Sequence, residues 1–260
     1  METNYALSVE NISFAVDNKK IIDDISLNVP KGSFVGIIGP NGSGKSTLLK
    51  TIYRVNKASN GAVYIDGKNM DKMSSKEIAR EMAVVAQEHE ISFDFSVLEV
   101  MMIGLYANRS FLDKAGTNDT EICEKALAEV GMLDKKNRSF QSLSGGEKQK
   151  VQIASAFSRN SNLIVLDEPT NHLDIGYQFL VLDIMKARKD VTIFTTIHDL
   201  NMAMQYCDYI IALKDGKIVT QGVPQDVITE DMLHDLFHVK AKFVKGEGDK
   251  PYIQYLGCAE

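Results

Sequence analysis

Apolar and polar positions alternate along this chain with two different periods. Residues 7–29 alternate with a period of two and predict short strands around a turn at Asp17-Asn18. Residues 33–38 are almost continuously apolar, as in a strand buried on both faces. Further short apolar runs predict strands at 62–65, 83–86, 163–166, 191–197, 209–213 and 217–221.

Helical periodicity occupies the stretches between several of these strands. It predicts helices at 45–55, 74–81, 118–130, 175–188 and 201–207. Ser75 is the expected N-cap of the second of these helices, and Gly131 the expected end of the third. Residues 96–159 show helical periods with polar breaks, like an insertion. Strands that alternate with helices predict an α/β fold, with a parallel sheet covered by helices on both faces.

Composition and charge argue against several classes of function. The chain has 260 residues, of which 44% are hydrophobic and 25% charged, and a net charge of −6. Because no basic excess is clustered, we expect no nucleic-acid partner. No apolar run approaches the length of a transmembrane helix, and the N-terminus lacks a signal-peptide pattern, so we expect an intracellular chain. Cys123, Cys207 and Cys258 lack metal-ligand spacing and are expected to be packing or incidental residues rather than metal or redox groups.

A glycine-rich run directly after the apolar strand 33–38 carries the first candidate chemistry. It consists of Gly39, Pro40, Asn41, Gly42, Ser43, Gly44, Lys45, Ser46 and Thr47. This is the P-loop pattern, in which glycines let backbone N–H groups converge on phosphate oxygens and the next helix directs its N-terminus at the same anion. Lys45 is expected to reach the β- and γ-phosphates, Ser46 to bind Mg²⁺, and Thr47 to reach the α-phosphate.

Two acids follow the apolar strand 163–166. Asp167 and Glu168 stand at its carboxyl end, the edge at which open α/β sheets bind ligands. Because adjacent residues point in different directions, we expect Asp167 to hold Mg²⁺ and Glu168 to act on an attacking water. A solvated pair of surface acids is the alternative, and the P-loop earlier in the chain argues against it.

A second glycine-containing run identifies a family. The sequence Leu-Ser-Gly-Gly-Glu at 143–147 precedes apolar positions at Val151, Ala154 and Phe157, which predicts a second anion site at a helix N-terminus. With this run the chain resembles the ATP-binding-cassette (ABC) ATPases over residues 7–240. The run itself resembles the family signature, in its variant with glutamate at the fifth position.

This resemblance implies an architecture. The fold class would be α/β, a P-loop NTPase (RecA-like) core with an N-terminal antiparallel β subdomain and an inserted α-helical subdomain near 96–160. The nucleotide-binding domain would span residues 1–240, and 241–260 would form a C-terminal extension.

The resemblance also implies that two copies act together on ATP and Mg²⁺. Two subunits stack head to tail, and the signature of one covers the ATP on the P-loop of the other. The covering residues would be Ser144, Gly145, Gly146 and Glu147. Asp174, at the end of the run Asn-His-Leu-Asp at 171–174, would be the key acid of the loop that crosses this interface.

Two further residues carry over from the family. Gln87 resembles the lid glutamine that contacts Mg²⁺ or the attacking water, and His198 the switch histidine that hydrogen-bonds the γ-phosphate. The implied catalytic residues are Lys45, Gln87, Glu168 and His198, and the implied metal ligands are Ser46, Gln87 and Asp167.

Two positions depart from the family's pattern. Val16 stands where an aromatic residue usually stacks on adenine. Phe14, on the same strand face, is only a partial substitute, so the preference for ATP over GTP stays open. Lys148 and Lys150 stand where arginines are common, which keeps the charge but loses bidentate geometry.

Three stretches, at 78–87, 198–208 and 215–224, resemble the importers that carry iron–siderophores, haem or cobalamin. This implies an ATPase at the cytoplasmic face of the cell membrane that works with integral-membrane permease subunits and, indirectly, an extracytoplasmic solute-binding protein. Residues 88–106 are the expected groove for a permease helix, although most of the apolar side chains in this stretch are expected to belong to the core instead. A metal-ion importer subunit and a soluble non-transport ABC ATPase are the alternatives.

Overall fold

The structure is a computed structural model, and it describes residues 4–17, 19–86, 94–106, 118–246 and 251–259. In chain order the strands are β1 (Tyr5–Val16), β2 (Lys19–Pro30), β3 (Phe34–Ile38), β4 (Asn60–Ile65), β5 (Lys68–Asn69), β6 (Met82–Val85), β7 (Leu163–Leu166), β8 (Thr192–Thr196), β9 (Tyr209–Lys214), β10 (Lys217–Gly222), β11 (Val239–Lys245) and β12 (Pro251–Cys258). The helices are α1 (Lys45–Ile52), α2 (Ser75–Glu81), α3 (Val97–Tyr106), α4 (Asp119–Glu129), α5 (Gly145–Ser158), α6 (Ile175–Ala187), α7 (Leu200–Tyr206), α8 (Pro224–Val227) and α9 (Glu230–Phe237).

The chain forms two compact units. The first unit contains Met1–Gly67 together with Thr192–Glu260, and the second contains Lys68–Val191. The glycine-rich loop and His198 therefore belong to the first unit, whereas Glu168 and the signature run 143–147 belong to the second.

β3 lies at the centre of the first unit, and all five of its residues are buried. It pairs in parallel with β8 and with β9, so that Val35 lies opposite both Phe194 and Tyr209. β10 continues this sheet antiparallel to β9. A strand buried on both faces has to be apolar throughout, which is why residues 33–38 show no alternation. The parallel pairing brings the carboxyl ends of β3 and β8 to one edge.

The first unit also contains an antiparallel sheet in the order β2-β1-β4, in which Leu7 lies between Val29 and Ile65. The alternation in 7–29 predicts short strands, but the structure shows two long strands with irregular register. At Asn11 and Asp24 φ is +50° and +55°, and the Asn11 Nδ2 donates to the Asp24 Oδ1 over 2.9 Å. Such a bulge shifts the alternation without ending the strand, so the sequence pattern looks interrupted.

The second unit combines a parallel pair of strands with a helical cluster. β6 and β7 pair so that Val85 lies opposite Leu166. α3, α4 and α5 lie within the range predicted to be helical and share an apolar core, which includes Val97, Met101, Cys123, Leu127, Phe140, Val151 and Ala154. The core residues recur at helical spacing, which is the pattern that predicted these helices.

Several element boundaries differ from their predictions by one to three residues, α1 and α2 among them. The N-cap of α2 is Ser74 rather than Ser75, because Glu77 stands three residues after Ser74 and its carboxylate accepts from the Ser74 N–H at 2.7 Å. α1 ends at Ile52, earlier than predicted, and Arg54 takes a positive φ of +66° there.

The C-terminal residues form a hairpin that the sequence pattern does not predict. β11 pairs antiparallel with β12, and Phe243 lies opposite Ile253. Cys123 and Cys207 are buried, whereas Cys258 of this hairpin is exposed. Within the described part of the chain, no helix has the length and apolar character needed to cross a membrane.

Candidate active site

The glycine-rich loop connects β3 to α1 and closes tightly on itself. Gly39 has a φ of +153°, and a Cβ at this position would lie 2.3 Å from the Leu213 carbonyl oxygen and 2.7 Å from the Ser43 Oγ. The Ser43 hydroxyl is buried and has no hydrogen-bond partner among the residues that the structure describes. Because a buried hydroxyl normally has a partner, the loop has the character of a site for a polar ligand.

Lys45 places its positive charge inside this loop. Its ammonium donates to the carbonyl oxygens of Gly39 at 2.8 Å and of Pro40 at 3.1 Å, and the residue is only 6% exposed. The lysine is thus folded back over the loop, close to the N-terminus of α1. A buried ammonium at a helix N-terminus is suited to bind an anion.

The loop is braced by residues that sequence reasoning did not assign to the site. The Gly216 N–H donates to the Ser43 carbonyl oxygen at 3.0 Å, and the Asp23 N–H donates to the Gly216 carbonyl oxygen at 2.9 Å. A Cβ on Gly216 would lie 2.2 Å from the Ile21 carbonyl oxygen, so this position excludes every side chain. The signal in the sequence was the turn Asp215-Gly216, which by itself indicates only a hairpin.

His198 reaches the same edge of the sheet as the glycine-rich loop. In the parallel pair of β3 and β8, Ile37 lies opposite Thr196, and the Ile197 N–H donates to the Ile37 carbonyl oxygen at 3.0 Å. His198 follows directly and is exposed. Asp199 then caps α7, because its Oδ1 accepts from the Met202 N–H at 2.9 Å. The structure therefore brings the predicted switch histidine to the strand end next to the P-loop.

The two predicted acids stand at the end of β7. Asp167 is 2% exposed, and its N–H donates to the Val85 carbonyl oxygen at 3.0 Å. Glu168 is partly exposed and has a φ of +54°. Its Oε2 accepts from the Asn171 Nδ2 at 2.8 Å. Gln87, predicted to join these acids, lies outside the described residues. The partner role of Asn171 is one that sequence reasoning missed.

Ser144 and Glu147 cap α5 reciprocally. The Ser144 Oγ accepts from the Glu147 N–H at 3.4 Å, and a Glu147 carboxylate oxygen accepts from the Ser144 N–H at 2.9 Å. The other oxygen of Glu147 pairs with the Lys135 ammonium. The pKa of Glu147 is lowered to about 2, first by the hydrogen bond from Lys135 and then by the backbone N–H of Ser144. The signature loop therefore carries a firmly ionised carboxylate.

The signature and the Asp174 loop meet at Tyr177. A Cβ on Gly146 would lie 2.8 Å from the Tyr177 ring, whereas a Cβ on Gly145 would meet nothing within 4 Å. Asp174 caps α6, because its Oδ1 accepts from the Tyr177 N–H at 3.0 Å. The structure thus joins these two predicted interface segments through one aromatic ring of the same unit.

The side chains at the predicted adenine position offer little surface for base stacking. Val16 is 49% exposed at the end of β1, and Phe14 is partly buried opposite Ile22. Base stacking at this position stays a prediction.

Comparison with known proteins decides the family. The sequence profile described as ABC transporter matches residues 22–171. The chain belongs to this family.

Curated relatives of this ABC protein match almost its whole length. It is 38% identical to the iron(3+)-hydroxamate import ATP-binding protein FhuC of Bacillus subtilis, over 92% of the chain and 90% of that protein. It is 32% identical to the ferric enterobactin transport ATP-binding protein FepC of Escherichia coli, over 90% of the chain and 88% of that protein.

A solved structure matches the ABC protein over 98% of both chains, with a TM-score of 0.84 and 25% identity. That structure is described as the inward-facing conformation of an ABC transporter of the metal-chelate type. The predicted α/β P-loop NTPase fold is confirmed, as are the assignment to the ABC family and the ATPase activity that characterises it. The nucleotide bound by this domain is ATP.

The oxygen-bearing side chains of this ABC protein fit a magnesium ion. No group of three or more His, Cys, Asp or Glu side chains that could hold a metal occurs in the ranges that the structure describes. Ser46 in the first unit and Asp167 in the second each carry a hard oxygen ligand, which is the kind that Mg²⁺ takes in small number when phosphates and water complete its shell. Each of these two groups is therefore of a kind that suits Mg²⁺ bound as its ATP complex.

Proposed function

We propose that this chain is the ATP-hydrolysing subunit of an ABC importer, which energises uptake of an iron–siderophore, haem or cobalamin-type solute through a separate membrane permease. The observation that carries the proposal is the 38% identity, over 92% of the chain, to a protein named for iron(3+)-hydroxamate import. It agrees with the three importer-like stretches at 78–87, 198–208 and 215–224.

The phosphate groups of ATP bind the glycine-rich loop in this proposal. Backbone N–H groups of the run 39–47 converge on phosphate oxygens, and Lys45 exchanges its bonds to the Gly39 and Pro40 carbonyls for the β- and γ-phosphates. The tight closure of the loop at Gly39 supports this, because a side chain there would collide with the Leu213 carbonyl and the Ser43 hydroxyl and would open the loop. Ser46, Gln87 and Asp167 hold Mg²⁺, which neutralises phosphate charge when it is bound.

Glu168 orients or deprotonates the attacking water. The bond from the Asn171 amide supports this role, because it fixes the direction of the carboxylate. His198 hydrogen-bonds the γ-phosphate and stabilises the charge that spreads over it during transfer.

A second copy of the chain completes each site. Ser144, Gly145 and Gly146, with Glu147 behind them, cover the ATP held by the partner, and Asp174 lies in the loop that crosses the interface. Closure of this dimer drives the permease, and hydrolysis reopens it. The position of the signature at the N-terminus of the 14-residue helix α5 supports its role as an anion site, because the helix dipole favours negative charge at that end.

The chain operates at the cytoplasmic face of the membrane, where the permease holds it, and a solute-binding protein delivers the solute on the other side. Residues 1–240 form the nucleotide-binding domain, with its helical subdomain near 96–160, and 241–260 form the C-terminal extension. In the described part of the proposed permease groove, 94–106, Val97 and Val100 are buried and Phe95 is half-buried, whereas Ile103 and Tyr106 are exposed.

Reconstitution tests this function. The chain is assembled in proteoliposomes with the permease that copurifies with it, and phosphate release is measured with solute-binding protein loaded with ferric hydroxamate, haem, cobalamin or Zn²⁺. We expect stimulation by one of the first three and none in a Glu168→Gln variant. Stimulation by Zn²⁺ alone would contradict the solute class, and failure to copurify with any membrane protein would favour a non-transport ATPase.

A further inference from the structure

The C-terminal hairpin lies against the first turn of α7, the helix that follows His198. Asn201, in that turn, makes two hydrogen bonds with one residue of β12. Its Nδ2 donates to the Ile253 carbonyl oxygen at 3.2 Å, and its Oδ1 accepts from the Ile253 N–H at 2.6 Å. β12 belongs to a two-stranded sheet, so the amide of Asn201 satisfies backbone groups that a further strand would otherwise pair.

Apolar packing and a second helix fix the hairpin in this position. Ile253 is 3% exposed, although its neighbours Tyr252 and Gln254 are exposed. Phe243, opposite Ile253 in β11, donates its N–H to the Glu230 carboxylate of α9 at 3.4 Å. The hairpin is therefore held by α9 on one strand and by α7 on the other.

The other end of α7 is anchored to β3 independently of the hairpin. The Phe34 N–H donates to the Asp208 carboxylate at 2.9 Å, and the Asp208 N–H donates to the Phe34 carbonyl oxygen at 2.8 Å. Cys207 packs so closely on Gly36 that a Cβ there would lie 2.6 Å from its Sγ. The first turn is thus the part of α7 to which the hairpin is hydrogen-bonded.

His198 stands between two fixed points at this first turn. Ile197, before it, is bonded to β3, and Asp199, after it, caps α7. Tyr255 of β12 has a raised pKa because it is partly buried and, secondarily, because the negative charge of Asp199 is near. The hairpin therefore lies next to Asp199, which caps α7, and next to Asn201, the second residue of that helix.

We propose that Asn201 is a positioning residue for His198, and that the C-terminal hairpin acts through it to set the direction of the imidazole. This rests on the proposed function, in which His198 contacts the γ-phosphate. Asn201 itself touches no reacting atom. Its effect is expected on turnover because a group that stabilises a transition state has to be held within a fraction of an ångström.

Asn201→Leu tests this proposal by removing both hydrogen bonds with little change in side-chain volume. We expect kcat for ATP hydrolysis to fall about tenfold, with KM for ATP changed by less than about twofold. Gln254→Ala, at an exposed position of the same strand, is the matched control and should keep both constants. Asn201→Asp keeps the acceptor for the Ile253 N–H and loses the donor. Its kcat should therefore lie between those of Asn201→Leu and Gln254→Ala.

A second measurement follows the histidine without turnover. In nucleotide-free protein labelled with ¹³C-histidine, we expect Asn201→Leu to shift the ring signal of His198, assigned with His198→Ala, and to leave that of His172 in place. Wild-type kcat in folded Asn201→Leu or Asn201→Asp would overturn the proposal, as would an unmoved His198 signal in both. Absence of turnover in the wild-type protein would contradict the proposed function instead, and the ring signal would still decide whether the hairpin positions His198.

Discussion

The side-chain amide of Asn171 donates a hydrogen bond to the carboxylate of Glu168 over 2.8 Å. The Asn171 N–H also donates to the Glu168 carbonyl oxygen at 3.1 Å, so one residue holds both the backbone and the side chain of the other. Glu168 has a φ of +54°, a conformation that costs a residue with a side chain about 1–2 kcal/mol. The turn after β7 therefore holds the proposed general base in a conformation that the chain does not adopt by itself.

Asn171→Ala should lower kcat about tenfold while leaving KM for ATP nearly unchanged, because the Glu168 carboxylate loses its fixed direction but the phosphate cradle stays intact. Steady-state phosphate release measures both constants. Asn162→Ala makes the same change of side chain at an exposed position directly before β7, so it is the control and should behave like the wild type. Equal kcat in Asn171→Ala and the wild type would show that the amide does not orient the base.

Adjacent glycines at the start of α5 should respond differently to a methyl group. Gly146→Ala should lower the free energy of unfolding by about 1–3 kcal/mol, since its Cβ would lie 2.8 Å from the Tyr177 ring. Gly145→Ala should leave it unchanged or raise it by up to about 1 kcal/mol, because nothing lies within 4 Å and alanine favours the helix. Urea denaturation compares the two, and Tyr177→Leu should partly rescue Gly146→Ala. Equal stability of the two alanine variants would contradict this packing of Gly146 on Tyr177.

Glu147 should make folding stability depend on acid pH. Its pKa in the folded protein is about 2, below the ordinary value of 4.5, so its contribution is fully present above about pH 4.5 and is lost as the pH falls toward 2. Glu147→Gln keeps an acceptor for the cap but loses the charge that pairs with Lys135. We expect a shallower fall in stability over this window, and a cost at neutral pH of about 1 kcal/mol or less because the pair is partly solvated.

Lys135→Met provides the matching variant for this pH series, because it removes the largest cause of the lowered pKa of Glu147. Its stability should also fall less steeply below pH 4.5 than that of the wild type. Chemical denaturation at a series of pH values measures both variants. Wild-type slopes in both would show that the Lys135–Glu147 pair does not contribute to folding.

Glu168→Gln should reduce turnover by at least about 100-fold and preserve ATP binding, because glutamine keeps the shape of the side chain and its place beside Asn171 but cannot act as a base. With Mg-ATP the variant should accumulate as a dimer in gel filtration, whereas the nucleotide-free protein should elute as a monomer. A variant that still turns over, or that stays monomeric when saturated, would count against this role of Glu168.

The predicted parts of the site are those that a contiguous segment determines. The run 39–47 forms its cradle from its own backbone, and Asp167 and Glu168 follow the strand that positions them, so both features could be read from local sequence. Gly216 was different, because its role depends on contacts with Ser43 and with the strand that contains Ile21, far away in the chain. Nothing in the turn Asp215-Gly216 distinguishes a brace of the P-loop from an ordinary hairpin.

A different physical reason explains why the sequence pattern does not predict the C-terminal hairpin. Lys240 and Lys242 alternate with half-buried residues as a strand should, but β12 exposes Tyr252, Tyr255 and Leu256 while burying only Ile253. Because apolar residues occur on both faces of β12, they do not produce a clear period of two. The contact between Asn201 and Ile253 that fixes this strand joins residues far apart in the chain. On Ile253 it uses backbone groups, so the pattern of side chains does not indicate it.

The central claim is that each ATP is enclosed by the P-loop of one copy and the signature of the other, and a mixing experiment tests it most directly. Lys45→Ala and Ser144→Arg are each inactive alone in this account, whereas a heterodimer of the two contains one intact composite site. ATP hydrolysis by assembled transporter made from an equal mixture should return to about a quarter of the wild-type rate, because random pairing makes about half the dimers mixed and each has one working site of two. A mixture no more active than its separate components, with mixed dimers verified, would contradict the account.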